Sequence, residues 1–424
     1  MSMARSLPPA RAEAIGRTEW IVLISAFLGW LFDSMDLNLF TLVLFPSVAQ
    51  LLGTRDPHLI AQTGSVIMAI KLLCWGLGGV IFGVVADRVG RSRTMVLTIV
   101  IYALFTGLSG FAQSWWQLAI LQALAGFGIG GEWSAGAALI AETWPEKHRA
   151  RAMQLMQMAF AFGFFVAALD NLIIGPLGGW RWVLGLGAAP AVITLAIRQF
   201  VPEPERWVRV REKNETSSAE TFFAIFRPGL LRKTVVGVLT ASGMMIGCWG
   251  GLTLLPAWIV QLLGNVRAAE GPQIVSYAFM LMMAGAALGY LTLIWTTEAI
   301  GRRGSYILFA VVSLIVSVYL FTSVHTLEGL MWVMPVYGYF VIGGFGTFAA
   351  YLPELFPTRV RATGQGFCWN FARAVTAIGP LTAGLLIGTF GSIPLAAAST
   401  CVFFLVGLVA IFFGPETRGV ALQD

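Results

Sequence analysis

The nine residues Glu142–Ala150, ETWPEKHRA, return 212 positions later as Glu354–Ala362, ELFPTRVRA. Both copies keep the glutamate, the aromatic-proline pair and the closing Arg-Ala step. Other short matches have nearly the same spacing: Gly90-Arg91 with Gly301-Arg302, Asp87 with Glu298, and Pro202-Glu203 with Pro415-Glu416. Because this spacing is half of the 424 residues, the sequence predicts a chain built from two similar halves.

The composition indicates a membrane protein. The chain is 57% hydrophobic and 11% charged, whereas soluble domains carry about 25% charged residues. A helix needs about 20 apolar residues to cross the hydrocarbon of a bilayer. Runs of that length recur along the whole chain, and we predict twelve spanning helices near 20–48, 61–86, 94–113, 116–142, 152–175, 180–201, 234–262, 274–297, 306–324, 330–351, 363–387 and 393–413.

The distribution of Lys and Arg predicts the orientation. If both ends are cytoplasmic, 22 of the 27 basic residues fall in cytoplasmic segments and only Arg55, Arg181 and Arg267 fall outside. Cytoplasmic loops of membrane proteins carry this excess, so we expect a multi-pass protein of the cell (inner) membrane with both termini in the cytoplasm. The net charge of +6 is then a topology signal, and no nucleic-acid partner is expected.

The repeat and the spans together predict the domain organisation. We expect a cytoplasmic segment 1–19, a six-helix bundle 20–201, a cytoplasmic linker 202–233, a second six-helix bundle 234–413 and a tail 414–424. Parallel repeats of this kind place a small-molecule site between the two bundles, near the middle of the bilayer.

Ionisable residues inside the predicted spans are candidates for that site. A charge facing lipid near the bilayer centre costs about 2.5–3.5 kcal/mol, so these residues are expected to face the interior. Asp33 and Asp36 lie three residues apart in GWLFDSMDLNLF (29–40), and therefore on one helical face. Burial and like charge both raise a carboxylate pKa. We therefore predict that Asp33, Asp36 or Glu132 takes up and releases protons.

The other charges at mid-depth leave several roles open. Arg373 is the only one in the second half, and its predicted partner is Asp33 or Asp36 across a cavity, or an anionic substrate. Asp36 could instead bond a neighbouring helix, and Glu132 could pair with Lys71 inside the first bundle. The predicted substrate-binding residues are Arg373, Asn370, Trp369, Lys71, Phe40 and Tyr337.

Several motifs carry a family resemblance that covers almost the whole chain. GVVADRVGRSR (83–93) resembles the loop signature of the major facilitator superfamily, and GFGIGGEW (126–133) is similar to the fourth span of its metabolite:proton symporters. VPEPERW (201–207) and GPETRG (414–419) resemble the ends of the two halves in its sugar-porter-like branches. The pair Asp33 and Asp36 is similar to that of the aromatic-acid:proton symporters, with sialate and nicotinate transporters as neighbours.

This resemblance implies an all-α membrane protein with twelve transmembrane helices in two six-helix bundles. It also implies a charge network at the cytoplasmic end that forms in one conformation and breaks in the other. The predicted gating residues are Gly83, Asp87, Arg88, Gly90, Arg91, Glu142, Arg149, Glu298, Arg302, Glu354 and Arg361. The sequence departs from the family at Gln122, where many members have an arginine, and at Ile294 and Ala299, which replace Gly83 and Arg88 in the second half.

We therefore predict a secondary transporter that imports a small organic anion with protons by alternating access. An aromatic or other monocarboxylate is the first candidate substrate, and sialate or a neutral sugar or polyol is the alternative. A channel or scaffold would have no use for duplicated gating motifs. No enzyme activity, cofactor or metal is expected, and the expected partners are the lipid bilayer, the organic anion and protons, with the protein as a monomer.

Overall fold

The computed structural model describes residues 15–187, 189, 192, 196, 200–213, 218–264 and 271–422. Within that part of the chain every regular element is a helix. Spans 1 to 4 are Arg17–Leu52, Pro57–Val89, Arg91–Ser109 and Trp115–Thr143; spans 5 and 6 share the run Glu146–Gly187; spans 7 to 10 are Pro228–Leu263, Gly271–Ala299, Gly301–Ser323 and Leu327–Leu355; span 11 is Arg361–Thr376 with Ile378–Phe390; span 12 is Ile393–Thr400 with Phe403–Phe412.

Nine of the described helices are long and apolar enough to cross a membrane by themselves. The other three predicted spans have identifiable reasons for falling short. Span 4 carries the polar Gln122 and Glu132; span 6 is described only in part; and span 11 is interrupted at Ala377, between its two helices. The predicted all-helical architecture is confirmed. Span 7 begins at Pro228, six residues before the predicted start of the second bundle.

Glycines with positive φ mark equivalent turns in the two halves. Gly53 and Gly264 follow spans 1 and 7 with φ of 63° and 64°, Gly90 precedes span 3 with φ of 126°, and Gly301 begins span 9 with φ of 79°. Gly179, φ 68°, divides spans 5 and 6, and its counterpart Gly391, φ 75°, divides spans 11 and 12. Each pair is 211 or 212 residues apart. L-residues with a Cβ avoid this region, so the repeat seen in the sequence is a repeat of turn geometry.

Two pairs of helices form most of the contact between the halves, and spans 4 and 10 add to it. Span 2 packs against span 11, and span 5 packs against span 8. The first contact is close because small residues line it: a Cβ on Gly83 would lie 2.8 Å from the Ala362 carbonyl oxygen, and a Cβ on Gly76 would lie 2.8 Å from the Ala374 side chain. Large apolar side chains such as Leu385 and Phe412 are exposed on the outer surface, as expected of helices that face lipid.

We call the end of the bundle that holds Arg17 and the connections between spans 2 and 3, 4 and 5, 8 and 9, and 10 and 11 the charged end. Two short helices, Glu205–Lys213 and Ser218–Ala224, lie in the connection between the halves at this end. The opposite end holds the turns at Gly53, Gly179 and Gly391.

Candidate functional site

The charged end is closed by a carboxylate of one half bound to a helix of the other. Asp87, at the end of span 2, accepts hydrogen bonds from the backbone N–H groups of Ala362 and Thr363 at 3.2 and 2.7 Å, and from the Thr363 hydroxyl at 2.6 Å. These N–H groups belong to the first turn of span 11 and have no partner inside that helix. The N-terminus of a helix also attracts negative charge, so Asp87 joins span 2 to span 11.

Arginines from both halves strengthen this closure. Arg91 forms ion pairs with Asp87 and Glu142, both at 2.9 Å, and donates to the backbone oxygen of Thr358 at 2.8 Å. Arg361 of the second half reaches the same Glu142 at 2.8 Å. The side chains of Arg91, Glu142 and Arg361 are all fully buried. Glu142 therefore bridges two guanidinium groups, one from each half of the molecule.

The contact between spans 5 and 8 is weaker at this end. Arg151 pairs with Glu298 at 2.7 Å, but the two side chains are 48% and 36% exposed. Gln154 donates to the Gly346 backbone oxygen at 3.0 Å. Arg149, the repeat counterpart of Arg361, is buried, and its Nε has no hydrogen-bond partner among the described residues. Water screens exposed pairs, so most of the closing interactions lie on the side of spans 2 and 11.

In each half a glutamate caps the N-terminus of the helix that begins at Arg91 or next to Arg302. Glu203 accepts from the backbone N–H groups of Arg91, Ser92 and Arg93 at 2.7 to 3.2 Å, and Glu416 accepts from those of Arg302 and Arg303 at 3.0 and 3.1 Å. Added Cβ atoms on the preceding glycines would lie 2.3 and 2.7 Å from these carboxylates. Arg302 pairs with Glu354 at 2.8 Å, as Arg91 does with Glu142. Arg88 lies exposed beside Asp87.

A cavity of about 350 Å³ lies between the halves, on the far side of this closure. Its wall is largely apolar, with nine aromatic side chains among the lining residues, and the lining residues from span 1 and span 7 extend toward the opposite end. The described lining residues include Trp30, Asn38, Thr41, Phe45, Ser65, Met68, Trp75, Gln157, Phe160, Met245, Trp249, Thr253, Phe279, Tyr290, Phe345, Trp369, Arg373 and Thr376. Trp369, one of the lining residues, stacks on Trp133 with ring centroids 4.5 Å apart.

Arg373 presents a cation to this cavity. Its guanidinium carbon lies 3.7 Å from the Trp75 ring centroid, 5.7 Å from that of Trp369 and 6.0 Å from that of Trp30. Aromatic faces stabilise a guanidinium, while its N–H groups lie in the plane and can still bind a carboxylate. The Nη1 atom is buried and makes no hydrogen bond to any described residue. The site therefore contains a donor that an anion could use.

The structure separates the two aspartates of span 1, which were expected to share one cavity. Asp36 binds Lys71 at 2.9 Å and accepts from the Thr106 hydroxyl. Lys71 also donates to Gln122 at 2.7 Å. This cluster is buried among spans 1 to 4. Asp33 is fully buried and interacts electrostatically with Arg373, so Asp33 is the aspartate that faces the second half.

Other candidate residues lie away from the cavity. Glu132 accepts from the Thr98 hydroxyl at 3.0 Å, and Lys71 forms its ion pair with Asp36. Lys71 and Phe40 contact each other inside the first half, with Nζ 4.8 Å from the ring centroid. Tyr337 packs against Phe321. Asn370 lies beside Gly79 at the packing surface of spans 2 and 11, and its Nδ2 donates to Gly366.

The family model of the Major Facilitator Superfamily matches residues 22–375. The chain belongs to the Major Facilitator Superfamily. It is 31% identical over 406 residues, 94% of this chain and 91% of the relative, to a protein of Cupriavidus pinatubonensis described as a probable 4-methylmuconolactone transporter. It is 26% identical over 440 residues, 97% of each chain, to a niacin transporter of Acinetobacter baylyi.

Among solved structures, a proton:xylose symporter of this superfamily superposes with a TM-score of 0.76 at 17% identity, over 96% of this chain and 98% of the other. The chain therefore has the twelve-helix major facilitator fold. It is a multi-pass membrane transporter and not an enzyme.

Sequence reasoning missed several residues that the site uses. Trp30 lies beside Arg373, yet nothing in the sequence distinguishes it from the other tryptophans of the spans. Thr363 is the principal partner of Asp87, and Gln154 crosses between the halves. The capping role of Glu203 had a signal in the sequence, because Glu203 and Glu416 belong to the same repeat as the glycines they contact, with a spacing that differs by only two residues.

Proposed function

We propose that this transporter takes up a small organic anion, an aromatic or other monocarboxylate, together with protons, and that the charged end is its cytoplasmic side. The observation that carries the proposal is the Arg373 guanidinium with its unbonded Nη1 in an aromatic-walled cavity. A flat apolar acid would place its ring against tryptophan faces and its carboxylate on the guanidinium. The names of the relatives, which include a niacin transporter, support a small organic acid.

The proposal assigns the coupling proton to Asp33 and a structural role to Asp36. Asp36 is neutralised by Lys71 at 2.9 Å, and both of its oxygens have partners. Asp33 interacts with Arg373, the residue proposed to hold the substrate. An ionised Asp33 balances Arg373 in the empty site. When the substrate carboxylate takes its place on Arg373, protonation of Asp33 keeps the closed cavity near neutrality and lowers the cost of desolvation.

The conformational part of the proposal rests on the closure. Asp87, Arg91, Glu142 and Arg361 hold the charged end shut while the cavity extends toward the opposite end. This arrangement fits the outward-facing state of an alternating-access transporter. Return to the inward-facing state requires the separation of span 2 from span 11. The linker between the two moving bundles, placed at 202–233 from the sequence, then ends before Pro228, where span 7 begins.

The test combines binding and transport. Nicotinate, nicotinamide and xylose are titrated against the purified protein by calorimetry, and uptake is measured in proteoliposomes with an inwardly directed pH gradient. In Arg373→Lys, nicotinate is expected to bind at least tenfold more weakly, a loss of about 1.4 kcal/mol. Lysine keeps the positive charge but lacks the planar guanidinium that binds both carboxylate oxygens. If nicotinamide and nicotinate bind equally well and Arg373→Ala weakens both alike, the proposal of an anionic substrate is wrong and the protein is a porter of neutral substrates.

A second test separates the aspartates. Asp33→Asn is expected to retain counterflow exchange and lose accumulation driven by the pH gradient. The paired neutral variant Asp36→Asn/Lys71→Gln is expected to retain both, whereas Asp36→Asn alone leaves a buried lysine without its counter-charge and destabilises the protein. Loss of accumulation with intact exchange in the paired variant would assign the proton to Asp36.

A further inference from the structure

A second cavity, of about 700 Å³, lies at the charged end outside the closure. Its walls come from three parts of the chain: the loop between spans 2 and 3, the helix Glu205–Lys213 with nearby Thr221, and the loop before span 11. Among the lining residues are four arginines, Arg88, Arg93, Arg211 and Arg359. Arg359 belongs to the second half, so this cavity is completed by both halves of the transporter.

The carboxylates on the cavity wall are mostly engaged elsewhere. Asp87 binds the first turn of span 11 and Arg91, and Glu203 caps the first turn of span 3 through three backbone N–H groups. Glu212 is the other acidic residue of the described lining. Within the described part of the chain, neither Arg93 nor Arg359 forms an ion pair with a carboxylate. The cavity therefore has an excess of positive charge.

Trp207 holds one arginine in place and connects the cavity to the closure. The Arg211 guanidinium carbon lies 5.0 Å from the Trp207 ring centroid, and that of Arg91 lies 5.6 Å from it. The Trp207 indole N–H donates to the backbone oxygen of Asp87 at 2.8 Å. A general excess of basic residues at the cytoplasmic side requires arginines in these loops, but it does not require them to wall one cavity joined to the gate.

We propose that this cavity binds a phosphate-bearing anion and that the bound anion holds the charged end closed. Arginine forks match phosphate oxygens, and a ligand that contacts Arg93 of the first half and Arg359 of the second binds best when the halves are together. By linkage, such a ligand shifts the conformational equilibrium toward that state. The phosphate belongs either to a soluble metabolite or to the headgroup of an anionic lipid. The site is separate from the proposed substrate cavity.

The test uses the full chain in detergent, with a Ser134→Cys reporter. Ser134 is fully buried in the seam between spans 4 and 11, so thiol labelling at this position, followed by mass spectrometry, reports opening of the charged end. Inorganic pyrophosphate is expected to slow labelling by up to about tenfold at ten times its dissociation constant. Sulfate at equal ionic strength is the control. A parallel set compares nanodiscs of phosphatidylglycerol with nanodiscs of phosphatidylcholine.

The variants distinguish the cavity from general electrostatics. Arg93→Gln and Arg359→Gln are expected to abolish the slowing, and Glu212→Gln is expected to strengthen it. Arg209→Gln is the matched control, because Arg209 lies on the helix Glu205–Lys213, which borders the cavity, but does not line the cavity itself. Slowing by phosphatidylglycerol alone identifies the headgroup as the ligand, and slowing by pyrophosphate identifies a soluble one. The proposal is overturned if neither slows labelling, or if Arg209→Gln and Arg93→Gln reduce the effect equally. Neither readout depends on the identity of the transported substrate.

Discussion

Replacing Asp87 with asparagine is expected to open the charged end. The Asp87 carboxylate receives three hydrogen bonds from Ala362 and Thr363 across the two halves. Hydrogen bonds to a charged group contribute about 1.5–3 kcal/mol each, and a negative charge at a helix N-terminus adds about 0.3–1 kcal/mol. Asparagine keeps an acceptor oxygen, but it loses the charge and turns an amide N–H₂ toward donors. A loss of about 2–3 kcal/mol is expected.

This loss corresponds to a shift of about 30- to 150-fold in the equilibrium between the closed and open states. Labelling of the buried Ser134→Cys thiol measures it directly, because the rate follows the population of the open state. Glu298→Gln is the matched control. It removes the equivalent carboxylate of the second half, whose pair with Arg151 is partly exposed, and exposed pairs contribute about 0.2–1 kcal/mol. Its labelling rate is expected to rise by no more than about fivefold.

Two outcomes would contradict this expectation. An unchanged labelling rate in Asp87→Asn means that the contact between spans 2 and 11 does not depend on this carboxylate. Equal rises in Asp87→Asn and Glu298→Gln mean that burial does not decide the strength of the two sides. Intrinsic substrate affinity is expected to stay the same, since Asp87 does not line the substrate cavity.

Three further predictions concern stability and binding. Gly90→Ala is expected to lower the melting temperature of the purified protein by several degrees, because φ is 126° and the new Cβ would meet Glu203 at 2.3 Å; a melting temperature equal to that of wild type would contradict this. Trp75→Leu is expected to weaken carboxylate binding severalfold in calorimetry, because it removes the ring 3.7 Å from the Arg373 guanidinium, while Trp249→Leu serves as the control from the same cavity. Burial opposes ionisation of Glu416, but its hydrogen bonds from backbone N–H groups outweigh burial and hold the pKa of that carboxyl below its usual value of 4.5. The stability that ionised Glu416 contributes is therefore present above pH 4.5 and is lost as the pH falls through the lowered pKa. We expect Glu416→Gln to have a lower melting temperature than wild type at pH 7, and we expect this difference to vanish in acid.

The repeat made most of the fold predictable. Hydrophobic runs of the length of a bilayer and paired motifs half a chain apart predict two bundles of six helices, and the glycines of positive φ follow the same spacing. The break at Ala377 in span 11 has a signal in Gly379 and Pro380, which follow it closely, but the prediction of one continuous span over 363–387 did not use that signal. The charge network was largely predictable from motif residues, since Asp87, Arg91, Glu142 and Arg361 meet in the structure.

The candidate site was predictable only in part, because the direction in which each side chain points around its helix axis determines its partner. Two aspartates three residues apart share a helical face in broad terms, yet they point about 60° apart. Inside a packed bundle that difference directs Asp36 to Lys71 and Asp33 toward Arg373. A linear sequence gives depth along a helix but not the identity of the neighbouring helix on each side. Without the identity of the neighbouring helices, the partners of Lys71 and the contacts of Arg373 could not be predicted from the sequence.

The two halves are similar in fold but unequal in the strength of their contacts, and this difference has a consequence for transport. A device that switches between two states needs a closed form that is stable without being permanent. Asp87 and the Glu142 bridge supply buried, charge-assisted contacts on one side, while Arg151 and Glu298 supply a screened pair on the other. If both sides matched the first, opening would cost roughly twice as much.

The second half has Ala299 where the first has Arg88, and Glu298 where the first has Asp87. The longer side chain of Glu298 reaches an exposed arginine instead of a helix terminus. The weaker side is therefore expected to separate first, with span 5 leaving span 8 before span 2 leaves span 11. Spin labels across each pair would resolve this order, and simultaneous separation of both pairs would show that the bundles move as rigid bodies.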